Sequence, residues 1–191
     1  MASTNESVGL GLPARCTVAL AAALMMAGTA CAEGAASQQA CADGASTLPV
    51  SRFQDNGDGT VTDRVSKLMW MRCASGQQWT EGQCTGQATP YNWPDAMQQA
   101  AQVSAKGTAF FNDWRLPALR DLATITDRGC KNPRTNVAVF PGTPATPFWT
   151  ATPRPGEPTE ERAFALSFGP EGVVLARKGE RFPVRFVRNA L

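Results

Sequence analysis

Six cysteines restrict how this chain of 191 residues can fold, because each disulfide fixes two separate segments of a chain to each other. Whether disulfides form depends on the compartment, and the N-terminal residues bear on that question. The uncharged run 16–30 follows Arg15, ends in small residues and is too short for a membrane span, which needs about 20 residues. Such a run behind a basic residue is typical of a secretory signal peptide. We therefore expect residues 1–31 to be a signal segment and the mature protein to be exported.

Two processing routes fit this segment. The letters ACA at 30–32 match the small-residue site of ordinary signal peptidase. The letters GTAC at 28–31 are similar to a bacterial lipobox, in which Cys31 would carry the lipid and provide the only attachment to a membrane. The two routes stay open, and either one removes or blocks Cys31. The cysteines that remain are Cys41, Cys73, Cys84 and Cys130.

Export favours disulfides for these four cysteines, and three pairings are possible. Cys73 and Cys84 bracket a short polar loop, which favours a local bridge and leaves Cys41 to pair with Cys130. A zinc site of four thiolates is disfavoured, because no C-x-x-C spacing is present. We expect no metal and no other cofactor.

The composition excludes several functional classes. The chain has no His, which removes the Ser-His-Asp and Cys-His nucleophile systems, His-ligated zinc and proximal-His haem. The formal net charge of +2 is too small for a dedicated nucleic-acid-binding protein. The 17 Gly and 14 Pro indicate many turns and argue against a helical bundle.

The mature chain divides into a small, polar tether over 32–49, with Cys41 as its anchor point, and one domain over 50–191. Turn residues separate short strand patterns over 51–63 and 67–71. A helix is predicted from an Asn92 cap to a stop at Gly107, with the apolar face Trp93, Met97, Ala100 and Ala101. A second helix is predicted from Pro117 to Gly129, with the apolar face Leu119, Leu122, Ala123 and Thr126.

The segment 130–147 has no periodicity, and we expect this long loop to be functional. Strand patterns close the chain at 148–152, 164–168, 173–177 and 184–188. This order of strands, two helices, long loop and strands predicts an α+β domain whose two ends meet in a mostly antiparallel sheet.

Three groups of residues admit both a structural and a functional interpretation, and we favour the structural one for each. Asp55, Asp58 and Asp63 suggest calcium, but the spacing lacks the ligands of an EF-hand, so we expect a β-turn. In 113–115 we expect Trp114 in the core and Arg115 bound to backbone or to Asp113. The other indoles expected in the core are Trp70, Trp93 and Trp149.

The ordered set of motifs resembles the bacterial family once catalogued as DUF1566 and now called the Lcl C-terminal domain family, after a collagen-like adhesin of Legionella. The matching motifs are RFQDNGDGTVTD (52–63), LMW (68–70), C…W…C (73–84), Y-x-W (91–93), DWRLP (113–117), C-x-N-P (130–133), V-F-P-x-T-P (139–144), FWTAT (148–152) and VRFVR (184–188).

The resemblance implies a C-type-lectin-like fold, a structural role for Cys130 and no catalytic residues. It also implies a surface or pilus-associated adhesin, with sulfated polysaccharide as the ligand of the Legionella member. This chain lacks collagen-like repeats, and its segment 153–162 is charged and rich in Pro. Both departures weaken the transfer of a ligand or an oligomeric state from that adhesin.

A basic cluster near the C-terminus is the candidate binding site. Arg177, Lys178 and Arg181 lie in a predicted turn, and Arg154 and Arg162 flank the charged segment before it. Arg guanidinium groups bind sulfate and carboxylate groups through paired hydrogen bonds. For Arg185 and Arg188 we favour a structural role.

We therefore expect an exported, non-enzymatic binding module that recognises a surface glycan or protein and that is periplasmic, anchored to the outer membrane or on the cell surface. The second hypothesis is a structural or tip subunit of a surface appendage such as a pilus. A third is an enzyme similar to the formylglycine-generating enzymes, which would need free thiols.

Overall fold

The computed structural model describes residues 39–44, 46–156 and 161–190, and within them an α+β arrangement of eleven short strands and two α-helices. The predicted signal segment, with Cys31, lies outside the described residues. The helices are α1, Trp93–Ala105, and α2, Leu119–Ala123. The strands are β1, Ala40–Cys41; β2, Phe53–Asp55; β3, Thr60–Asp63; β4, Leu68–Met71; β5, Gln78–Thr80; β6, Gln83–Thr85; β7, Cys130–Lys131; β8, Pro147–Pro153; β9, Arg162–Ser167; β10, Val173–Arg177; and β11, Val187–Asn189.

All pairings between these strands are antiparallel. A four-stranded sheet has the order β11-β4-β3-β2, and a three-stranded sheet has the order β10-β9-β8. β1 pairs with β7, and β5 pairs with β6. The predicted α+β class with mostly antiparallel strands is confirmed. The prediction that both ends of the chain meet in one sheet is correct only for β11, which pairs with β4 in the four-stranded sheet. The strands β8 to β10 form a separate sheet.

In β8 and β9, the two faces of the sheet are buried against different hydrophobic clusters. Phe148 and Leu166 belong to one cluster, whereas their neighbours Trp149 and Ala165 belong to the other. This division follows from the strand geometry, in which successive side chains point to opposite faces. The small residues that alternate with the large ones in β9 are therefore core residues as well.

The two disulfides join Cys41 to Cys130 and Cys73 to Cys84, which is the pairing that the spacing favours. Cys41 and Cys130 are also direct partners in the β1–β7 ladder. The longer bridge has a sequence separation of 89 and the shorter one of 11. The first bridge therefore holds the beginning of the described chain against a segment that follows both helices.

The packed domain begins before residue 50, within the segment predicted as a tether. Thr47 Oγ1 donates a hydrogen bond of 2.6 Å to Asp127 Oδ1, and Ser46 Oγ donates to the other oxygen of that carboxylate. Leu48 is buried, and its carbonyl accepts 2.7 Å from Asn136 Nδ2. The composition of 32–49 suggested a tether because it is small and polar, but these polar side chains bond to the domain.

Helix α1 begins and ends where its local signals indicate. Asn92 Oδ1 accepts a 2.8 Å hydrogen bond from the Asp95 backbone N–H, and Gly107 adopts a left-handed φ of 65° after the last turn. The predicted apolar face is wrong in part, because Met97 and Ala101 are exposed. Ala100 is buried as predicted, and Ala96 is buried beside it, in the cluster that also contains the alanines of β9. Their small side chains allow the helix to pack closely on the sheet.

Helix α2 is shorter than predicted, since it begins at Leu119 and ends at Ala123 rather than near Gly129. Two threonines account for the early end. Thr124 Oγ1 donates to the Asp121 carbonyl at 2.7 Å, and Thr126 Oγ1 donates to the Leu122 carbonyl at 3.1 Å. Such side-chain bonds satisfy the last carbonyls of a helix and compete with its continuation.

The segment 130–147 was predicted as a functional loop, but seven of its residues between β7 and β8 are buried. Val139 and Phe140 lie in the first hydrophobic cluster. Thr135 Oγ1 donates to the Ile125 carbonyl at 2.8 Å, and Thr143 Oγ1 donates to the Phe140 carbonyl at 2.8 Å. The segment is therefore an irregular part of the core, which sequence periodicity cannot reveal.

The two arginines near the C-terminus have the structural roles that we favoured. Arg188 Nε donates to Asp113 Oδ1 at 2.6 Å, and its guanidinium carbon lies 3.8 Å from the centre of the Phe111 ring. Arg115 pairs with Asp121 at 2.7 Å, so the predicted bond between Arg115 and Asp113 is wrong. Trp114 is buried, as predicted.

Arg185 is fully buried, and burial lowers its pKa to about 9, so the guanidinium remains charged at neutral pH. Its donors reach the carbonyls of Met71, at 3.0 Å, and Arg72. A third bond of 2.6 Å runs to Thr143 Oγ1, and the Phe140 ring centre lies 4.9 Å from the guanidinium carbon. Neutral oxygens and an aromatic ring thus surround this charge.

We expect the two disulfides to differ in their contribution to stability. In the loop-closure model, the Cys41–Cys130 bridge stabilises the folded state by about 4.6 kcal/mol and the Cys73–Cys84 bridge by about 2.8 kcal/mol, because their sequence separations are 89 and 11. The double variant Cys41→Ala/Cys130→Ala should therefore unfold at a lower urea concentration than Cys73→Ala/Cys84→Ala. An equal loss in both variants would contradict the loop-length argument.

The Asp127 carboxylate should make stability depend on acid pH. Burial raises its pKa, but hydrogen bonds from Ser46, Thr47 and the Gly129 N–H outweigh burial and hold the pKa below its usual 3.8. The unfolded chain then binds the proton at the higher pH, so the stabilisation is complete above about pH 4 and is lost as the pH falls through the folded pKa. The free energy of unfolding should decrease less on acidification in Asp127→Asn than in the wild type, as measured by urea titrations from pH 6 to pH 2.5. Parallel curves would contradict this role for Asp127.

Candidate functional site

Four of the predicted cations lie together at one end of the three-stranded sheet, and we call this group the basic edge: Arg154, Arg162, Arg177 and Lys178. Arg162 and Arg177 are direct partners across β9 and β10. The Arg154 N–H donates to the Arg162 carbonyl at 3.1 Å, and the Lys178 N–H donates to the Glu161 carbonyl at 2.7 Å. The backbone thus brings together residues that are up to 24 positions apart in the sequence.

The strand register places the Arg162 and Arg177 side chains on the same face of the sheet, because directly paired residues share a face. Arg177 is exposed and Arg162 is half-buried. Like charges directly opposite each other are unfavourable in a sheet.

Lys178 is held in place next to an indole. Its carbonyl accepts 2.8 Å from the Trp93 N–H, and its ammonium nitrogen lies 4.3 Å from the centre of the Trp93 ring. Trp93 is half-buried, and its Nε1 donates to the Thr150 carbonyl at 2.9 Å. The interpretation as a core residue therefore applies to Trp70 and Trp149, which are fully buried, and only in part to Trp93.

Acidic residues accompany the basic edge. Glu161 and Glu180 are exposed, and Glu180 Oε1 accepts 3.0 Å from the Arg177 N–H. Glu157 and Glu160 belong to the segment 157–160, which lies outside the described residues. Arg181 follows the turn, and its Nη2 donates to the Pro90 carbonyl at 2.9 Å, so the predicted site residue Arg181 also has a structural contact.

The aspartates considered for calcium act as turn and ion-pair residues. Asp55 Oδ1 accepts from the Gly57 N–H at 2.9 Å, and Asp58 Oδ1 accepts from the Thr60 N–H at 3.0 Å. Asp63 forms a paired contact with the Arg52 guanidinium. Among the described residues, no group of three carboxylate or thiol ligands could hold a metal ion.

A cleft of about 320 Å³ lies next to the Cys73–Cys84 disulfide, where no site was expected from the sequence. The turn before β3 and the segment 73–77 contribute one side of its lining, and α1 and the short turn after it contribute the other. Its lining includes the side chains of Asp58, Met71, Trp79, Gln99, Val103 and Ala109.

The Trp79 indole of this cleft is fixed by the residues behind it. The Arg72 guanidinium carbon lies 4.1 Å from the centre of the Trp79 ring, and Arg72 is buried. Arg72 is held in turn by Asp55 at 2.7 Å and by the Val139 carbonyl at 2.9 Å. Trp79 lines the cleft and Arg72 does not, so the arginine covers one part of the indole and leaves another part for the cleft.

The rim of the cleft contains an unusual turn. Ala109 and Phe110 adopt φ values of 52° and 66°, a left-handed conformation that costs of order 1–3 kcal/mol at each non-glycine residue. Hydrogen bonds hold this turn, among them the 2.7 Å bond from Trp114 Nε1 to the Thr108 carbonyl. Phe110 is 96% exposed. The turn therefore presents an aromatic side chain to solvent next to a residue that lines the cleft.

Sequence reasoning missed this cleft because its two sides come from segments with no motif in common. Trp79 lies inside the C…W…C motif, which was used only as a mark of family resemblance. The turn at 108–110 carries no composition signal, since Ala and Phe seldom adopt a left-handed conformation. A tryptophan between two predicted disulfide cysteines was the one available signal.

Comparison with known proteins concerns the same part of the chain. The family model described as the Lcl C-terminal domain matches residues 59–188, which include the whole basic edge and every residue of the cleft lining except Asp58. No curated protein matches the chain. Among the described residues, no helix is long and apolar enough to cross a membrane.

The position of Trp79 should depend on Gly59. A Cβ at residue 59 would lie 2.9 Å from Trp79 Cγ, whereas a Cβ at Gly57 would meet no atom within 4 Å. The two glycines have similar φ values, 84° and 80°, so the backbone cost of alanine, about 1 kcal/mol, is common to both. We expect Gly59→Ala to lower the free energy of unfolding by at least about 1 kcal/mol more than Gly57→Ala, as measured by urea titration. Equal losses would show that the indole does not rest on the Gly59 backbone.

Proposed function

Since this chain belongs to the Lcl C-terminal domain family, which suggests an extracellular or surface domain, we propose that it is an exported, non-enzymatic binding module. Its ligand is a surface polysaccharide or a protein, and the basic edge favours an anionic polysaccharide. The two disulfides support an oxidising environment outside the cytoplasm. The α+β order with an irregular core segment supports the C-type-lectin-like fold that the family suggests.

The observation that carries this proposal is the convergence of Arg154, Arg162, Arg177 and Lys178 on one end of a sheet. Guanidinium groups bind sulfate and carboxylate oxygens through paired, charge-assisted hydrogen bonds. The strand register places Arg162 and Arg177 directly opposite each other on one face, so both guanidinium groups can reach the same ligand. The acidic neighbours Glu161 and Glu180 would repel other anionic groups of the ligand. They therefore favour a ligand that brings its sulfate or carboxylate groups directly to the arginines.

A binding role also fits the chemistry that the described residues offer. Each of Cys41, Cys73, Cys84 and Cys130 is in a disulfide, so none of them supplies a nucleophilic thiol. This pairing argues against the mechanism of the formylglycine-generating enzymes. The sequence contains no His that could act as a general base near neutral pH.

The proposal predicts salt-dependent binding to sulfated polysaccharide. We expect the oxidised protein to bind immobilised heparin, with an affinity that falls at least several-fold between 50 mM and 300 mM NaCl because salt screens exposed charges. The variant Arg154→Gln/Arg177→Gln/Lys178→Gln should lose most of this binding in surface plasmon resonance.

A matched control removes the same charge elsewhere. Arg64, Lys106 and Arg120 are exposed cations outside the basic edge, and their triple replacement by Gln should leave heparin binding close to that of the wild type. An equal loss in both triple variants would mean that net charge, not the basic edge, drives the binding. No binding by the wild type would refute the polyanion ligand.

A second candidate function, a subunit of a surface appendage, is favoured by strand β10. This strand is at the edge of its sheet, and Val173 and Leu175 are 56% and 36% exposed. Exposed edge strands with apolar side chains tend to pair with other chains. Sedimentation velocity of the wild type and of Leu175→Lys tests this function: a concentration-dependent oligomer that the variant lacks would support the appendage subunit, and a monomer at all concentrations would argue against it.

A further inference from the structure

We propose that the cleft next to the Cys73–Cys84 disulfide is a second binding site, and that its ligand is an uncharged saccharide whose pyranose ring packs on Trp79. The site is separate from the basic edge, and the proposal does not depend on polyanion binding there. Four properties of the cleft lead to it: its charge, its aromatic wall, its unused polar atoms and its size.

The charge of the cleft excludes the ligands that suit the basic edge. Among the described residues that line it, Asp58 has the only ionisable side chain, apart from cysteine in a disulfide. Among the described lining residues there is no lysine or arginine, so a sulfate or carboxylate group in the cleft would have no cationic side chain to bind directly. A neutral ligand needs no such partner.

The aromatic wall supplies a surface that suits the apolar face of a sugar ring. Trp79 is half-buried and is held from behind by Arg72, so its orientation is fixed before any ligand arrives. Met71, Val103 and Phe186 add apolar surface around it. Tryptophan combines a large apolar area with few rotatable bonds, so little conformational entropy is lost when a ligand packs on it.

Two polar groups at the cleft have hydrogen-bonding capacity to spare. Within the described residues the Gln99 carboxamide makes no hydrogen bond, and this group can both donate and accept. Asp58 uses Oδ1 for the Thr60 N–H and hydroxyl, at 3.0 and 2.6 Å, and its Oδ2 makes no hydrogen bond to another described residue. Hydroxyl groups of a saccharide are donors and acceptors, and they match this mixed set.

The size and the rim restrict the ligand further. A volume of about 320 Å³ is at the small end of the range for small-molecule sites, which fits one or two sugar rings rather than a folded partner. Ala109 lines the cleft, and the exposed Phe110 follows it in the strained turn. A second ring that extends out of the cleft would contact Phe110. Such a contact would give a role to Phe110, whose side chain has almost no contact with the rest of the protein.

The experiment uses the oxidised protein and a panel of neutral disaccharides: lactose, maltose, cellobiose and N,N′-diacetylchitobiose. Ligand-observed saturation-transfer NMR detects binding, and calorimetric titration gives the affinity. The variant Gln99→Trp fills the cleft from α1, and Gln102→Trp places the same side chain at an exposed position of the same helix outside the cleft. Gln99→Ala, a milder change, covers the case in which Gln99→Trp does not fold.

We expect at least one disaccharide to bind, with an affinity that Gln99→Trp lowers by about tenfold or more and that Gln102→Trp leaves unchanged. Gln99→Ala should weaken the same binding, and the basic-edge triple variant should retain it. Three results would overturn the proposal: no binding by any member of the panel at millimolar concentration, binding that persists in Gln99→Trp, or an equal loss in Gln102→Trp. None of these results bears on heparin binding, so the two proposals fail independently.

Discussion

The guanidinium group of Arg185 lies fully buried where β4 ends, and the segments around it depend on its hydrogen bonds. It binds the carbonyls of Met71 and Arg72, and the Arg72 side chain continues outward to the carbonyls of Ala138 and Val139. The carbonyls of Arg72, Ala138 and Val139 belong to irregular backbone, and a buried carbonyl without a donor destabilises a fold. The two arginines therefore supply hydrogen bonds to the irregular core segment, as strand pairing does in the sheets. Arg72 also packs against Trp79, so the same arrangement sets the position of Trp79 at the cleft.

Features that depend on local sequence could be predicted. Asn92 and Gly107 fix the ends of α1, and the distance between Cys73 and Cys84 favours a local bridge. Features set by tertiary packing could not. The buried face of α1 was misjudged because the helix packs on alanines of β9, and alanine gives a weak periodic signal. The segment 132–146 contains no pattern of strand or helix, so its burial becomes visible only when Arg72 and Arg185 are seen to satisfy its polar groups.

The candidate sites show the same division. Arg177 and Lys178 were recognisable as a cationic turn, but their proximity to Arg154 and Arg162 results from the register of β9 and β10. The cleft could not be predicted from the sequence, because Trp79 and Gln99 line the same cavity only once α1 packs against the strands. One site is thus cationic and lies on a sheet edge, whereas the other lacks cations and has an aromatic wall. The two surfaces suit ligands of different chemistry, which the proposed binding module would bind separately.

The Cys41–Cys130 bridge has a mechanical consequence for such a module. Tension applied between the segment before Cys41 and the C-terminal strand passes through the covalent sulfur bond and bypasses residues 42–129. That bypassed part contains β2 to β6 and both helices, so it cannot be extended by a pull along the chain while the bridge is intact. The strands β8 to β11 remain under load, and β11 is secured to β4 by antiparallel pairing. The cleft, whose lining comes almost entirely from the bypassed part, would keep its shape under shear, whereas the basic edge lies on the strands that carry the force.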